Sequence, residues 1–129
     1  MPDAKRLLVI DDDQKVAQGV AIRLRHAGYH VDLTHNGADG LDAAIKMPPD
    51  GIVLDIRMPK MDGLAVLGEL RAREHTRQIP VIVLSASAGK EVSALDAGAF
   101  CFVAKPYDPQ TLLSSIESMF KTTATAVNC

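Results

Sequence analysis

Ile52-Val53-Leu54-Asp55-Ile56-Arg57-Met58-Pro59-Lys60-Met61-Asp62-Gly63 is the stretch whose reading decides the fold. Ile52, Val53 and Leu54 read as the end of a short buried strand, and the carboxylate of Asp55 follows at once, where a parallel sheet opens into its loops. A charge at such a place is costly to bury and is seldom there for packing. Met58-Pro59 then forces the chain out of regular structure, and Asp62-Gly63 supplies a tight turn before the next helical pattern.

Outward from this stretch, strand-like and helix-like segments alternate. Arg6 to Ile10 is an apolar run suited to a strand covered on both faces. Val16, Val20, Leu24 and Ala27 follow at helical spacing, with Asp13 near the N-cap and Gly28 placed to terminate. Tyr29 to Thr34 alternates as a second strand, and Asn36-Gly37 starts a helix with Ala38, Leu41, Ala44 and Ile45 inward, stopped by Pro48-Pro49. Beyond Asp55, Leu64, Leu67 and Leu70 mark a third helix, and Pro80 introduces the strand Val81 to Leu84, closed by Ser85. Val92 and Leu95 sit on a fourth helix of weaker pattern, Phe100 to Ala104 is the last strand, and Asp108-Pro109 caps a helix carrying Leu112, Ile116 and Met119. The endings His-Ala-Gly-Tyr-His and Asp-Ala-Gly-Ala-Phe echo each other as glycine-capped helices turning directly into strands.

Five strand-then-helix units with short links imply an open α/β fold, a parallel sheet with helices on both faces, because parallel neighbours require right-handed crossovers. At 129 residues and 47% hydrophobic content the chain is one ordinary domain with a core of its own. A net charge of -2 gives no general reason to bind nucleic acid or an anionic membrane. Leu7 to Ile10 is far too short for a membrane span or a signal peptide. Cys101 and Cys129 have neither metal-ligand spacing nor the pattern of a secreted disulfide framework, so a reducing cytoplasm is expected. The four histidines read as surface or loop residues.

In an open α/β sheet the ligand site lies beyond the C-terminal strand ends. Asp11, Asp12 and Asp13 follow strand one, Asp55 strand three, Ser85 strand four and Lys105 strand five. Asp13, Asp62, Ser87 and Asp108 are explained as helix N-caps or loop residues; Asp11, Asp12, Asp55 and Lys105 together are not. Like charges in contact repel by about 4 kcal/mol per pair at an effective dielectric near 20, and Lys105 offsets only one carboxylate. A hard divalent cation such as magnesium would cancel the remainder. That ion with a lysine and a serine hydroxyl forms a set suited to stabilising a phosphoryl group in transfer, with Asp55 the best-placed nucleophile.

The chain from Arg6 to Phe120 resembles a response regulator receiver domain of two-component signalling, of the chemotaxis-regulator kind. The resemblance is carried by Leu-Val-Ile-Asp-Asp-Asp, Val-Leu-Asp-Ile-Arg-Met-Pro-Lys-Met-Asp-Gly, Val-Leu-Ser-Ala and Val-Ala-Lys-Pro, in this order and spacing. It implies a flavodoxin-like strand order 2-1-3-4-5. Asp55 would then take a phosphoryl group from the phosphohistidine of a histidine kinase or phosphotransfer protein. Asp12, Asp55 and the backbone carbonyl of Arg57 would ligate Mg2+, and Asp11 would act mainly through a bound water. Ser85 would hydrogen-bond a phosphoryl oxygen, and Lys105 would pair first with Asp55 and then with the phosphoryl. Lys105-Pro106 resembles the family's cis peptide. Movement of Ser85 would let Phe102 turn inward and alter the surface of helix four, strand five and helix five, for which plain core packing of Phe102 is the competing reading.

The sequence departs from the family in Phe102, where tyrosine is more familiar, and in Arg57, a long cation at the rim that either prolongs the phosphoaspartate or simply points to solvent. An aspartate-nucleophile phosphohydrolase expects an aspartate two positions after Asp55, where Arg57 stands. A flavin module would place a phosphate against Asp11-Asp12-Asp13, which would repel it. A degenerate receiver acting only in docking is the remaining alternative. The expected receiver unit spans 1–121, with 122–129 a polar tail or the start of a linker. Its output would be a partner protein or a linked output domain, with a phosphorylation-dependent dimer through the helix four to helix five face also open, and no direct nucleic-acid or membrane binding by this unit.

Overall fold

The computed structural model describes residues 4–121. Its elements are β1 (Arg6–Ile10), α1 (Gln14–His26), β2 (His30–Thr34), α2 (Gly37–Lys46), β3 (Gly51–Leu54), α3 (Gly63–Ala72), β4 (Val81–Ser85), α4 (Glu91–Asp96, preceded by a 3-10 turn at Ala88–Lys90), β5 (Cys101–Ala104) and α5 (Pro109–Lys121). All strand pairings are parallel, and the order is β2-β1-β3-β4-β5, as the resemblance implied. The expected tail at 122–129 lies outside the described residues.

Strand alternation divides the apolar residues between two cores. Leu7, Val9, Val53, Ile82, Leu84, Cys101 and Val103 face α1 and α5, where Val20, Leu24, Leu112 and Ile116 meet them. Leu8, Ile10, Ile52, Leu54, Val81 and Val83 face the other way, onto Leu41, Val66, Leu67, Leu70 and Ala94. Full burial of each Leu or Ile side chain is worth roughly 1.5–3 kcal/mol. The central strands β3 and β4 are buried along their whole length, which explains their unbroken apolar sequence, while edge strand β2 is partly exposed.

Helix ends follow the caps read from the sequence. Asp13 accepts from the backbone N–H groups of Lys15 and Val16, Asn36 from Asp39 and Asp62 from Ala65, while Asp108 accepts from Thr111. Gly28 and Gly98 take φ 104° and 103°, and the N–H groups of Tyr29 and Ala99 reach back to the carbonyls of Leu24 and Ala94. The two echoing sequences are therefore two copies of one glycine-dependent helix end.

One expectation needs correction. On α2 the inward positions are Gly37, Gly40, Leu41 and Ala44, with Ala38 and Ile45 outward. A Cβ on Gly40 would stand 2.6 Å from the Ile10 side chain, so the helix lies closer to β1 than any larger residue permits. On α4 only Ala94 is buried, and Val92 is exposed. Ser87 caps nothing with its side chain; its N–H donates instead to the Ser85 hydroxyl oxygen at 3.1 Å.

Candidate functional site

The C-terminal ends of β1, β3, β4 and β5 converge because the parallel register carries Ile10, Leu54, Val83 and Phe102 across one level of the sheet. Asp11 and Asp55 continue their strands by one residue. The Asp11 N–H donates to Thr34 O and the Asp55 N–H to Ile10 O, which fixes both backbones and leaves both side chains buried. Asp12 is exposed at the mouth of the pocket. One carboxylate oxygen from each of Asp11, Asp12 and Asp55 lies within 4.8 Å of the others. Such a set of hard oxygen donors, with one lysine beside it, fits an oxygen-seeking divalent cation of the size of Mg2+.

Lys105 enters from the end of β5. Its Nζ lies 2.8 Å from Asp11 Oδ2 and 3.7 Å from Asp55 Oδ2. Lys105 thus pairs with both carboxylates, in a hydrogen-bonded ion pair with Asp11 and in the expected ion pair with Asp55 at longer range. The division has a local cause. Asp11 Oδ1 accepts from the Asp13 N–H at 2.9 Å, which turns Oδ2 toward the lysine. Asp55 Oδ1 accepts from the Ile56 N–H at 2.9 Å, leaving Oδ2 as the oxygen on the Lys105 side. Burial, and then the Asp11 charge, push the Asp55 carboxyl above its ordinary value; Lys105, the Ile56 N–H and the Ser85 hydroxyl act in the opposite direction without cancelling the rise.

Ser85, the last residue of β4, is buried and its hydroxyl is oriented by the Ser87 N–H. Phe102 is half-buried on β5 and packs against the core that holds Leu54 and Val83, midway between the two readings of its role. Arg57 is exposed and, with Met58, Pro59, Ser87 and Lys90, lines an open cleft of about 870 Å3 between the loops after β3 and β4. The Lys105-Pro106 peptide is cis.

Three features of this edge escaped the sequence. Gly63 was read as a turn residue, yet its φ is not in the left-handed region; a Cβ there would stand 2.1 Å from the Asp55 carbonyl oxygen, so glycine is required by contact with the Asp55 peptide. Lys60, in the same loop, holds φ 69°, a conformation strained for any residue with a side chain. His35, which follows β2, places Nδ1 3.2 Å from the Asp11 carbonyl oxygen. The rule that strand ends build the site could have found it, had the end of strand two been counted with the other four.

A parallel five-stranded sheet with an acidic pocket and one lysine at its C-terminal edge defines a class of small α/β proteins, and comparison with known proteins narrows it. Residues 7–117 match the family model for the response regulator receiver domain. Over 120 residues the chain is 38% identical to the response regulator MprA of Mycobacterium avium, covering 92% of this chain and 52% of that protein. A response regulator from Chloroflexus aurantiacus superimposes with a TM-score of 0.89 at 30% identity, covering 92% of this chain and 99% of that one. The receiver domain of the sensor histidine kinase PA1611 from Pseudomonas aeruginosa, whose structure has a magnesium ion coordinated in the active site cleft, gives 0.86 at 29%, covering 92% and 99%. The chain belongs to the response regulator receiver family. It spans about half the length of the curated relatives it matches. Among the described residues no helix is long and apolar enough to cross a membrane.

Proposed function

We propose that Asp55 is the phosphoacceptor of this receiver domain and that it takes a phosphoryl group from a phosphohistidine on a histidine kinase or phosphotransfer protein. The observation that carries the proposal is the position of Asp55 Oδ2: buried, next to Asp11 and Lys105, with the partner oxygen Oδ1 tied to Ile56. Oδ2 forms the new P–O bond as the P–N bond to the imidazole breaks, and the electron pair leaves on the histidine nitrogen, which takes up a proton. Asp11, Asp12, Asp55 and the Arg57 carbonyl would hold Mg2+, which would supply positive charge beside the phosphoryl oxygens. Lys105 stands within reach of both Asp11 and Asp55 and shifts toward the phosphoryl as charge accumulates there. Ser85 offers its hydroxyl to another phosphoryl oxygen. With no second carboxylate two positions after Asp55, the domain accepts and slowly loses phosphate rather than turning over a substrate.

Output follows from Ser85 and the ring of Phe102, which couple the phosphoryl to the surface of α4, β5 and α5. That surface controls a partner protein, a second copy or an output domain linked beyond Lys121, where the receiver unit ends. The test is intact-mass analysis after incubation with acetyl phosphate, with and without Mg2+, on the wild type and on Asp55→Asn. A single Mg2+-dependent phosphoryl adduct, lost in the variant, is expected. No adduct on folded protein, from acetyl phosphate or from phosphorylated kinases, would leave a docking-only receiver; continuous phosphate release would mark a hydrolase.

A further inference from the structure

We propose that His35 is a positioning residue for the acidic loop after β1, holding the Asp11–Asp12 peptide so that the Asp12 carboxylate faces Asp55. The inference rests on the reading of Asp11, Asp12 and Asp55 as a divalent-cation site.

Asp11 and Asp55 are buried and each has a carboxylate oxygen fixed by a backbone N–H. Asp12 differs. It is exposed, and among the described residues its side chain makes no hydrogen bond or ion pair, yet one of its oxygens lies within 4.8 Å of the other two carboxylates. Its direction is therefore inherited from the backbone, through the plane of the Asp11–Asp12 peptide. The end of β2 grips that backbone from both sides: the Asp11 N–H donates to Thr34 O at 3.1 Å, and His35 Nδ1 reaches the Asp11 carbonyl oxygen at 3.2 Å. The first contact is ordinary continuation of the sheet. The second is a side-chain contact that sheet pairing does not require, made by a half-buried imidazole to the carbonyl immediately before Asp12.

A carbonyl only accepts, so Nδ1 carries the hydrogen. Both the neutral Nδ1–H tautomer and the imidazolium satisfy this contact, so the grip does not depend on the charge of the ring. Groups that orient metal ligands from behind typically change cation affinity by about 10–100-fold when removed. The same scale applies to His35, which would act without touching the ion.

Mg2+ titration calorimetry on the unphosphorylated protein tests this, with His35→Ala, His35→Asn, Asp12→Asn and the double variant His35→Ala with Asp12→Asn. Folding of each is checked by circular dichroism. His35→Ala should weaken Mg2+ binding by about tenfold. His35→Asn, whose amide N–H reaches near the place of Nδ1, should recover most of the loss, and His35→Ala should add little once Asp12 is asparagine. Long-range 1H–15N spectra of the wild type without metal should show Nδ1 protonated. Unchanged affinity in folded His35→Ala, an asparagine variant no better than alanine, full additivity with Asp12→Asn, or a ring carrying its hydrogen only on Nε2 would each overturn the role. A wild type that binds no Mg2+ would overturn the cation-site reading, and this inference with it.

Discussion

Asp55 and Arg71 are charged groups withdrawn from water at opposite edges of one sheet, and they meet the cost of burial differently. Arg71, near the end of α3, donates Nη1 to the carbonyls of Arg77 and Ile79 at 3.1 and 2.8 Å, and Nη2 to that of Gly98 at 2.9 Å. It joins the end of α3, the loop into β4 and the turn after α4. Burial lowers its pKa, though from a value so high that it stays charged at any ordinary pH. No carboxylate faces it among the described residues; three backbone acceptors suffice. Asp55 has one backbone N–H, a second carboxylate as neighbour and a lysine committed chiefly to Asp11. Its pKa rises, which records an ionised form less comfortable in the fold than in water. The Arg71 charge is met by carbonyls of the fold itself, whereas the Asp55 charge is not fully offset by its neighbours.

The largest test of this contrast is Arg71→Ala, which removes the donor of three carbonyls, two of them within reach of water, and should cost about 2 kcal/mol in chemical denaturation. The variant should still form the phosphoryl adduct where it remains folded, because the clamp lies far from Asp55. Mg2+ should act only on the other edge. At ten times its dissociation constant it should stabilise the wild type by about 1.4 kcal/mol and Asp55→Asn by much less, read as a shift in unfolding midpoint.

Asp55→Asn without metal should stabilise the fold by about 1 kcal/mol, the reverse sign of Arg71→Ala, because it removes a repelled charge. The sign carries a pH dependence. Asp55 has a folded pKa raised above the ordinary 3.8, so the penalty is complete above the folded value, shrinks as pH falls through it and is gone only below the unfolded one. The advantage of Asp55→Asn over wild type should be greatest at neutral pH and disappear only below pH 3.8, measured as paired thermal midpoints. The smallest effect is at Lys60, where glycine should relieve the left-handed backbone by about 0.5 kcal/mol net of its extra unfolded-state entropy. A loss instead would mean that the Lys60 side chain holds the loop after β3.

Asp11, Asp12, Asp55, Ser85 and Lys105 were legible because each stands next to an apolar run short enough to be a strand, and strand ends on one edge meet whatever lies between them. Asp13, Asn36, Asp62 and Asp108 were legible as caps because their partners lie two or three residues away. The fourth helix was harder. With Lys90 as its N-cap, without a capping side chain, and six residues of length, neither its start nor its buried face had a strong local signal. Arg71 gave no signal at all, since an arginine near a helix C-terminus ordinarily faces solvent, and the Gly98 carbonyl that completes its partners is 27 residues away.

By itself the sequence determined the order of strands and helices, the glycine turns at Gly28 and Gly98, and the acids and lysine at the strand ends. These depend on hydrophobic period, local hydrogen bonding and charge within a few residues. Only the tertiary structure decided which group each charge meets: Lys105 with Asp11 ahead of Asp55, Arg71 with three carbonyls, His35 with the Asp11 peptide, and Gly63 against the Asp55 carbonyl. Those choices turn on differences of an ångström or less between distant parts of the chain, and such distances are fixed by how helices settle on a twisted sheet.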